Sequence, residues 1–526
     1  MRITSGDPKA RLNNMALHTI TQRLAQSARK FPDRIAFSSE TASITYTDLE
    51  QSTFRVGTYL ARLLPARTPV GILMARDVPA VQAMLGAIQA NLIASPLDPS
   101  MPAERMMKIF DTLQPGCLLV DDTADALVAD LKDKYDCPVI RIADALACPE
   151  DPDLLLDRRR YTSELDPVII FYTSGSTGIP KGVVHNHRSI LNYAIRASDW
   201  TEVVNPDQIY GSQSPFFYAH AINDIFIAIY QGCTVYIIPD RLFKFPQALL
   251  DYMNEKKITT IVMTPLNYIY IADSGVLTPG SLPYLQSVYF SGEASPWTTL
   301  QAWWNAAPNA GLYTFYGSTE NCYNSFYEMV EEDIQPGAIA PVGPLSVGVR
   351  MLLLDEDGKE VAPGEIGEIY TASPWLSVGY YHNPQLTQNT YLRDPLGCGW
   401  DVTFYRTGDL GRFDERGYLW LHGRKDTQIK HRGYRMDLGE VEAALRAVEG
   451  WQNGCCLFSE DEDLLYCFWV GPLTEADLRG AVKTKLEKYM IPNVWVHLDE
   501  LPRTATDKVN RMALKETWFG KAAPTS

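Results

Sequence analysis

Between residues 34 and 300 the chain alternates short runs of consecutive apolar residues with segments whose apolar positions recur every three or four residues. "VGILMA" (70–75) is followed by "DVPAVQAMLGAIQANLI" (77–93), a helical pattern, and then by "SPLDP". Further on come "GCLLVDD", "PVIRI", "PVIIFYTSG", "GCTVYIIP", "ITTIVMTP" and "LQSVYFSGE". Each run ends in turn chemistry or a glycine, as strands buried on both faces do. This alternation predicts an α/β region built from βαβ units. Near residue 345 the texture changes: "VRMLLLDEDGKEV" and "GRFDERGYLWLHG" each place two strand-like runs around a Gly-containing turn and predict hairpins. A smaller α+β unit is expected from about residue 425, with capping boxes at Asp437/Glu440 and Thr474/Asp477 around the strand-like "DLLYCFWVG".

Length and composition leave room for several domain-sized cores: 526 residues, 46% hydrophobic and 21% charged. The net charge of −16 argues against a nucleic-acid partner, which needs a basic face. The nine cysteines are scattered, with no C-x-x-C spacing, and suggest reduced thiols. The first residues lack the apolar core of a signal peptide, and no run approaches the roughly 20 apolar residues of a membrane span. A cytoplasmic protein with no membrane partner is the expectation.

The stretch "FYTSGSTGIPKGVVHNHRS" (171–189) brings chemistry into this frame. Glycines free backbone N–H groups to turn inward, hydroxyls add donors, and a lysine adds positive charge, so the loop suits phosphate. It is not a Walker loop, because Ile179 and Pro180 separate Gly178 from Lys181. No G-x-G-x-x-G follows the strand, which excludes the dinucleotide fingerprint as well.

The loop resembles the phosphate-binding motif of the acyl-adenylate-forming (ANL) superfamily, which contains adenylation domains, acyl-CoA synthetases and luciferases. The similarity continues through "ITYTDLE" (44–50), "ASPLDPSMPAERM" (94–106), "YFSGEAS" (289–295), "FYGSTE" (315–320) and "GEIGEIYTASPWLSVGYYHNPQLT" (364–387). It runs on through "YRTGDLGRFDERGYLWLHGRKDTQIKHRGYRMDLGEVE" (405–442), "YMIP" (489–492) and "TATDKVNR" (504–511). The wording is similar to peptide-synthetase adenylation domains and D-alanine–carrier protein ligases. The resemblance implies a large core domain, 1–425, and a small mobile domain, 426–526, rotating about a hinge at Asp426.

It also implies a reaction in two halves: a carboxylate attacks the α-phosphate of ATP with Mg²⁺, and a thiol then takes the acyl group. Thr173, Ser174, Gly175, Ser176, Thr177, Gly178 and Lys181 would cradle the β- and γ-phosphates. Glu320 would be the Mg²⁺ ligand, with Thr319 at phosphate; a single carboxylate suits a cation that keeps part of its hydration. Gly292, Glu293, Ala294 and Tyr316 would frame adenine, with Gly317 and Ser318 of the same motif in the nucleotide site. Asp409 would accept from the ribose hydroxyls, assisted by Arg424. Lys508 matches the lysine that bridges carboxylate and phosphate, although Thr506-Asp507 stands where the motif usually has Asn-Gly. Lys430, Arg432 and Gly433 would flank a tunnel for phosphopantetheine.

Substrate identity is carried elsewhere. Aligned on the family, the position that holds an α-ammonium with aspartate is Ala219 here, and an ammonium buried without a carboxylate is costly. The remaining pocket candidates are His220, Asn223, Met263, Tyr289, Ser291, Phe315, Tyr323 and Asn324, a set suited to an aryl, hydroxy, β-amino or other small acid. Asp224 aligns with a framework position and is not a substitute. Only eighteen residues follow Lys508, so the acceptor is expected in trans: a carrier protein's phosphopantetheine thiol, with free CoA as the alternative. An atypical amino-acid-activating enzyme, or a catalytically silent nucleotide-binding homologue, are the other readings.

Overall fold

The computed structural model describes residues 18–132, 134–174, 179–199, 206–263, 265–291, 297–334, 340–399, 401–425, 428–503 and 509–519. The chain divides into two compact units. The first holds the residues up to Gly423, apart from Ser100–Asp111 and Thr173–Lys181, which group with Arg424 onward in the second.

The first unit contains the expected α/β region as two large sheets. One has seven strands in the order Gly379–Tyr380, Lys181–Asn186, Pro167–Thr173, Ile93–Leu97, Pro69–Leu73, Cys117–Val120, Val139–Arg141. The other has eight, with parallel pairing through Gly311–Ser318, Ser287–Ser291, Thr260–Met263, Ile209–Ser212, Thr234–Ile237 and Ile35–Ser38. Strands such as Pro69–Leu73 and Thr260–Met263 are buried at every position, which is why they are continuous apolar runs. Helices Tyr46–Leu63 and Val78–Gln89 pack into the same core as residues of both sheets, including Phe37, Val70, Phe171 and Val235. Asp77 caps the second of these helices through the Val78 N–H, where the sequence pattern places its start.

A five-stranded section follows. "GRFDERGYLWLHG" forms the expected hairpin of Thr403–Phe413 with Leu419–Arg424. "VRMLLLDEDGKEV" forms only a short turn-back, in which Leu354 bridges Glu360 and the Val361 N–H donates to the Leu353 carbonyl at 2.9 Å, while the long ladder of Arg350–Leu354 is made with Gly367–Ala372. The later strand offers a longer antiparallel ladder than "KEV" can.

In the second unit a three-stranded sheet, Asn453–Ser459, Leu464–Val470 and Val494–His497, carries helices Leu438–Arg446 and Glu475–Lys483. Thr474 and Asp477 form the predicted capping box. Asp437 caps its helix through the Gly439 N–H alone, and Glu440 does not complete a box. Glu440 is instead buried against Arg105, whose guanidinium also pairs with Glu487 at 2.9 Å. All three side chains are buried, at 5%, 3% and 11% exposure.

Among the described residues no helix is long and apolar enough to cross a membrane. All nine cysteines are free thiols.

Candidate active site

In the first unit, "FYGSTE" runs off the end of strand Gly311–Ser318 into a tight turn before Cys322–Glu328. A Cβ on Gly317 would lie 1.5 Å from the Cys322 carbonyl oxygen, so only glycine lets the two strands close here. The turn is tied at Ser318, whose N–H donates to Asn321 Oδ1 at 2.7 Å.

Glu320 sits in this turn, fully buried. Its Oε1 accepts from Tyr380 Oη at 2.8 Å and its Oε2 from Ser318 Oγ at 3.0 Å. Its backbone carbonyl accepts from the Ser377 N–H at 2.8 Å. The neighbouring Thr319 carbonyl lies 2.8 Å from His185 Nε2, so that nitrogen carries the proton. His185 is fully buried, and burial pushes its imidazole down to about 4, which keeps it neutral near pH 7. Each carboxylate oxygen of Glu320 accepts from a hydroxyl. Among the described residues no cluster of three His, Cys, Asp or Glu side chains forms a metal cage. A solitary carboxylate with hydroxyl neighbours fits Mg²⁺, which binds through one or two carboxylates together with substrate phosphates and water.

On the same unit Tyr316 Oη donates to Asp409 Oδ2 at 2.7 Å. The phenol is held well above its ordinary range by burial and by the adjoining carboxylate. The Asp409 N–H donates to Thr407 Oγ1 at 3.0 Å, and that hydroxyl donates to the Ile369 carbonyl at 2.8 Å. Asp409 is therefore held in place by Tyr316 and by its own backbone turn at Thr407.

The substrate-pocket candidates fall into two groups. Tyr289, Phe315, Tyr323 and His220 belong to one aromatic cluster: Phe315 stacks on Tyr323 at 4.6 Å, Tyr289 lies 5.2 Å from Phe315, and His220 lies 6.2 Å from Tyr323. His220 Nδ1 is 3.3 Å from Ser214 Oγ. Ala219 packs against the core beside them, and Asn223 accepts from Tyr193 Oη. Met263 belongs to a different core with Tyr268 and Phe290. Asn324 is fully buried. Asp224 is buried on the π-helix Ile222–Ile227, accepts from Ser212 Oγ at 2.6 Å, and has its carboxyl pushed up to about 7 by burial.

In the second unit Ser174 Oγ donates to the Arg435 carbonyl at 3.2 Å. Among the described residues the buried Thr173 Oγ1 has no hydrogen-bond partner, and its hydroxyl is a donor that a phosphate oxygen could accept from. Lys181 is half-buried. Arg424 and Arg435 both donate to Gln428 Oε1, at 3.0 and 2.7 Å. "KHRGYR" forms a two-residue hairpin between Gln428–His431 and Tyr434–Asp437. Arg432 and Gly433 both have positive φ (53° and 78°), the geometry of a type I′ turn, and the Arg432 side chain is exposed beside half-buried Lys430. Gly175, Ser176, Thr177, Gly178, Gly292, Glu293, Ala294, Asp426 and Lys508 lie outside the described residues, as does the side chain of Ser291.

Among the residues that make these contacts, Tyr380, His185 and Tyr193 were not singled out from the sequence. Tyr380 and His185 stand within quoted motifs, but their partners are 60 and 134 residues away, so nothing local marks them.

Parallel sheets, a loop of glycines and hydroxyls after a buried strand, a buried carboxylate and a tyrosine–aspartate pair define a nucleotide-using α/β enzyme. Comparison with known proteins makes this specific. The family model described as AMP-binding enzyme matches residues 24–381. The chain belongs to this family, and so to the acyl-adenylate-forming ANL superfamily. It is 28% identical over 524 residues to a dimodular nonribosomal peptide synthase of Bacillus subtilis (strain 168), covering 96% of this chain and 22% of the relative. The chain thus spans about a fifth of that protein's length. Holo-PA1221, a protein of adenylation and PCP domains bound to a vinylsulfonamide inhibitor, superposes with a TM-score of 0.80 at 23% identity, covering 95% of this chain and 84% of its own. The o-succinylbenzoate CoA synthetase of Bacillus subtilis has the same fold: TM-score 0.80, 20% identity, 94% and 98% coverage.

Proposed function

We propose that this protein activates a carboxylic acid with ATP as acyl-AMP, releases pyrophosphate, and passes the acyl group to the phosphopantetheine thiol of a carrier protein. The observation that carries the chemistry is the buried Glu320 carboxylate, held by Tyr380 and Ser318 on the unit that also holds the Tyr316–Asp409 pair. The adenylation–PCP architecture of PA1221 and the peptide-synthetase relatives favour the carrier over free CoA.

Mg²⁺ bound at Glu320 would offset negative charge on the phosphates. The chain's own groups do the rest. Thr173, Ser174, Ser176, Thr177 and Lys181 bind the β- and γ-phosphates through donors and one positive charge. Asp409 accepts from ribose, and Tyr316 holds its carboxylate in place. Lys508 offsets repulsion between the incoming carboxylate and the α-phosphate. Lys430, Arg432 and Gly433 border the thiol's path after the small domain turns at Asp426. Ala219 stands where an α-ammonium partner would be, so the acid lacks a conventionally bound α-amino group.

ATP–pyrophosphate exchange across amino, aryl, hydroxy and β-amino acids tests the reading. Exchange dominated by an ordinary α-amino acid overturns the Ala219 inference, and absence of exchange with every acid overturns the enzyme assignment. Thioester formation with CoA, without loading of any carrier, overturns the acceptor. Lys508→Ala is expected to abolish adenylate formation while sparing thioester formation from supplied acyl-AMP; single-turnover assays of the two halves separate these. Equal loss in both halves would count against alternation of the small domain.

A further inference from the structure

Asn223 and Asn324 are buried carboxamides with unmet hydrogen bonds. Asn223 is 7% exposed. Its Oδ1 accepts from Tyr193 Oη at 2.6 Å, and this is its one side-chain hydrogen bond among the described residues. Tyr193 is itself 2% exposed and wedged edge-on against Tyr323 and Trp375, at 6.1 and 6.4 Å. A hydroxyl buried in that way needs an acceptor for its hydrogen, and Asn223 Oδ1 is placed to be it. The choice of acceptor fixes the orientation of the amide: Nδ2, with two hydrogens, is left as a donor without an acceptor.

Asn324 supplies an independent observation. It is fully buried, and neither its Oδ1 nor its Nδ2 has a hydrogen-bond partner among the described residues. The register of its strand shifts here: Tyr316 pairs with Ser325 and Gly317 with Tyr323, so Asn324 is the extra residue of a β-bulge. Bulges of this kind re-aim a side chain next to a site. Tyr323, its neighbour in the chain, stacks on Phe315 and meets both Tyr193 and His220. An unsatisfied buried amide costs about 1–3 kcal/mol, so Asn324 calls for a partner.

We propose that Tyr193 locks Asn223 as a hydrogen-bond donor, and that this pair selects uncharged-side-chain carboxylic acids bearing an acceptor such as a carbonyl, ether or ring nitrogen. This rests on the proposed function for the location of the acid, and it narrows the substrate class within it. Ala219 brings no charge to the cluster, and Asp224 is turned to Ser212. The recognition is thus by neutral dipoles and aromatic faces. Tyr193 acts through Asn223 and is a positioning residue.

Matched acids that differ only in the acceptor test this: 4-acetylbenzoate against 4-isopropylbenzoate, and 4-oxopentanoate against 4-methylpentanoate. Binding to the full chain is measured by isothermal titration, with pyrophosphate exchange recorded in parallel. The carbonyl member of at least one pair is expected to bind about 10- to 100-fold more tightly than its isostere, the range set by leaving a buried donor unpaired. Asn223→Leu should bring that ratio close to one. Tyr193→Phe, which keeps the aromatic packing, should lower the ratio while the isostere binds as before; a purely structural role would weaken both acids alike. Equal binding within both pairs, binding of none of the four acids, or a ratio untouched by Asn223→Leu and Tyr193→Phe would overturn the proposal. Discrimination in binding without any exchange would uphold it and remove the adenylation reading instead.

Discussion

Glu320→Gln is expected to lower the rate of acid-dependent pyrophosphate exchange by about 10²- to 10³-fold, the size of effect seen when one positioned charge-stabilising group is lost from an active site. The substitution keeps side-chain length and leaves an oxygen to accept from Tyr380. It takes away the negative charge and one acceptor, the properties a hard cation needs. The thermal midpoint should change little, because a neutral amide is less costly to bury than a carboxylate. The diagnostic measurement is Mn²⁺ binding followed by electron paramagnetic resonance with ATP present. Glu320→Gln should weaken it, whereas Asp409→Asn should raise the KM for ATP with less effect on metal. Wild-type exchange and metal binding in Glu320→Gln would remove this residue from the site.

Arg105→Ala is expected to cost about 3–5 kcal/mol in the second unit, the range for breaking a buried ion pair from one side. The reason lies in what stays behind: Glu440 and Glu487, buried at 3% and 11% exposure, would face each other's charge without the guanidinium. Among the described residues Glu440 Oε2 already has no hydrogen-bond partner. Combining Arg105→Met with Glu440→Gln and Glu487→Gln removes all three charges together and should recover most of the loss, because desolvated charge rather than lost volume carries the cost. Urea unfolding followed by fluorescence measures both variants. A cost under about 1 kcal/mol for Arg105→Ala would mean that water reaches the cluster, as at an exposed pair.

Much of the first unit was legible because its strands are buried on both faces, and a strand in that position must be a continuous apolar run. Strand order was not legible, since it depends on pairing between runs far apart in sequence. The same holds for the "VRMLLLDEDGKEV" run: a local hairpin looked sufficient, but Gly367–Ala372 provided the better ladder. The capping box at Thr474/Asp477 is present and the one at Asp437/Glu440 is not, although both have the same spacing. Three hundred residues upstream lies the reason, because Arg105 competes for the Glu440 carboxylate. In the site, motif order identified the family and nominated Glu320 and Asp409. Tyr380, which orients Glu320, emerges only from a contact 60 residues long, and Tyr316, nominated for adenine, proves to hold Asp409 across 93 residues.

The grouping of Ser100–Asp111 and Thr173–Lys181 with Arg424 onward makes the second unit a mosaic of three separated stretches. Such a unit is not portable. A tail cut at Arg424 and grafted onto a relative would arrive with two acids and no arginine, unless the recipient supplied its own at the place of Arg105. Exchange of tails between relatives is thereby limited to partners that match in this early helix, a compatibility rule written some three hundred residues away from the junction.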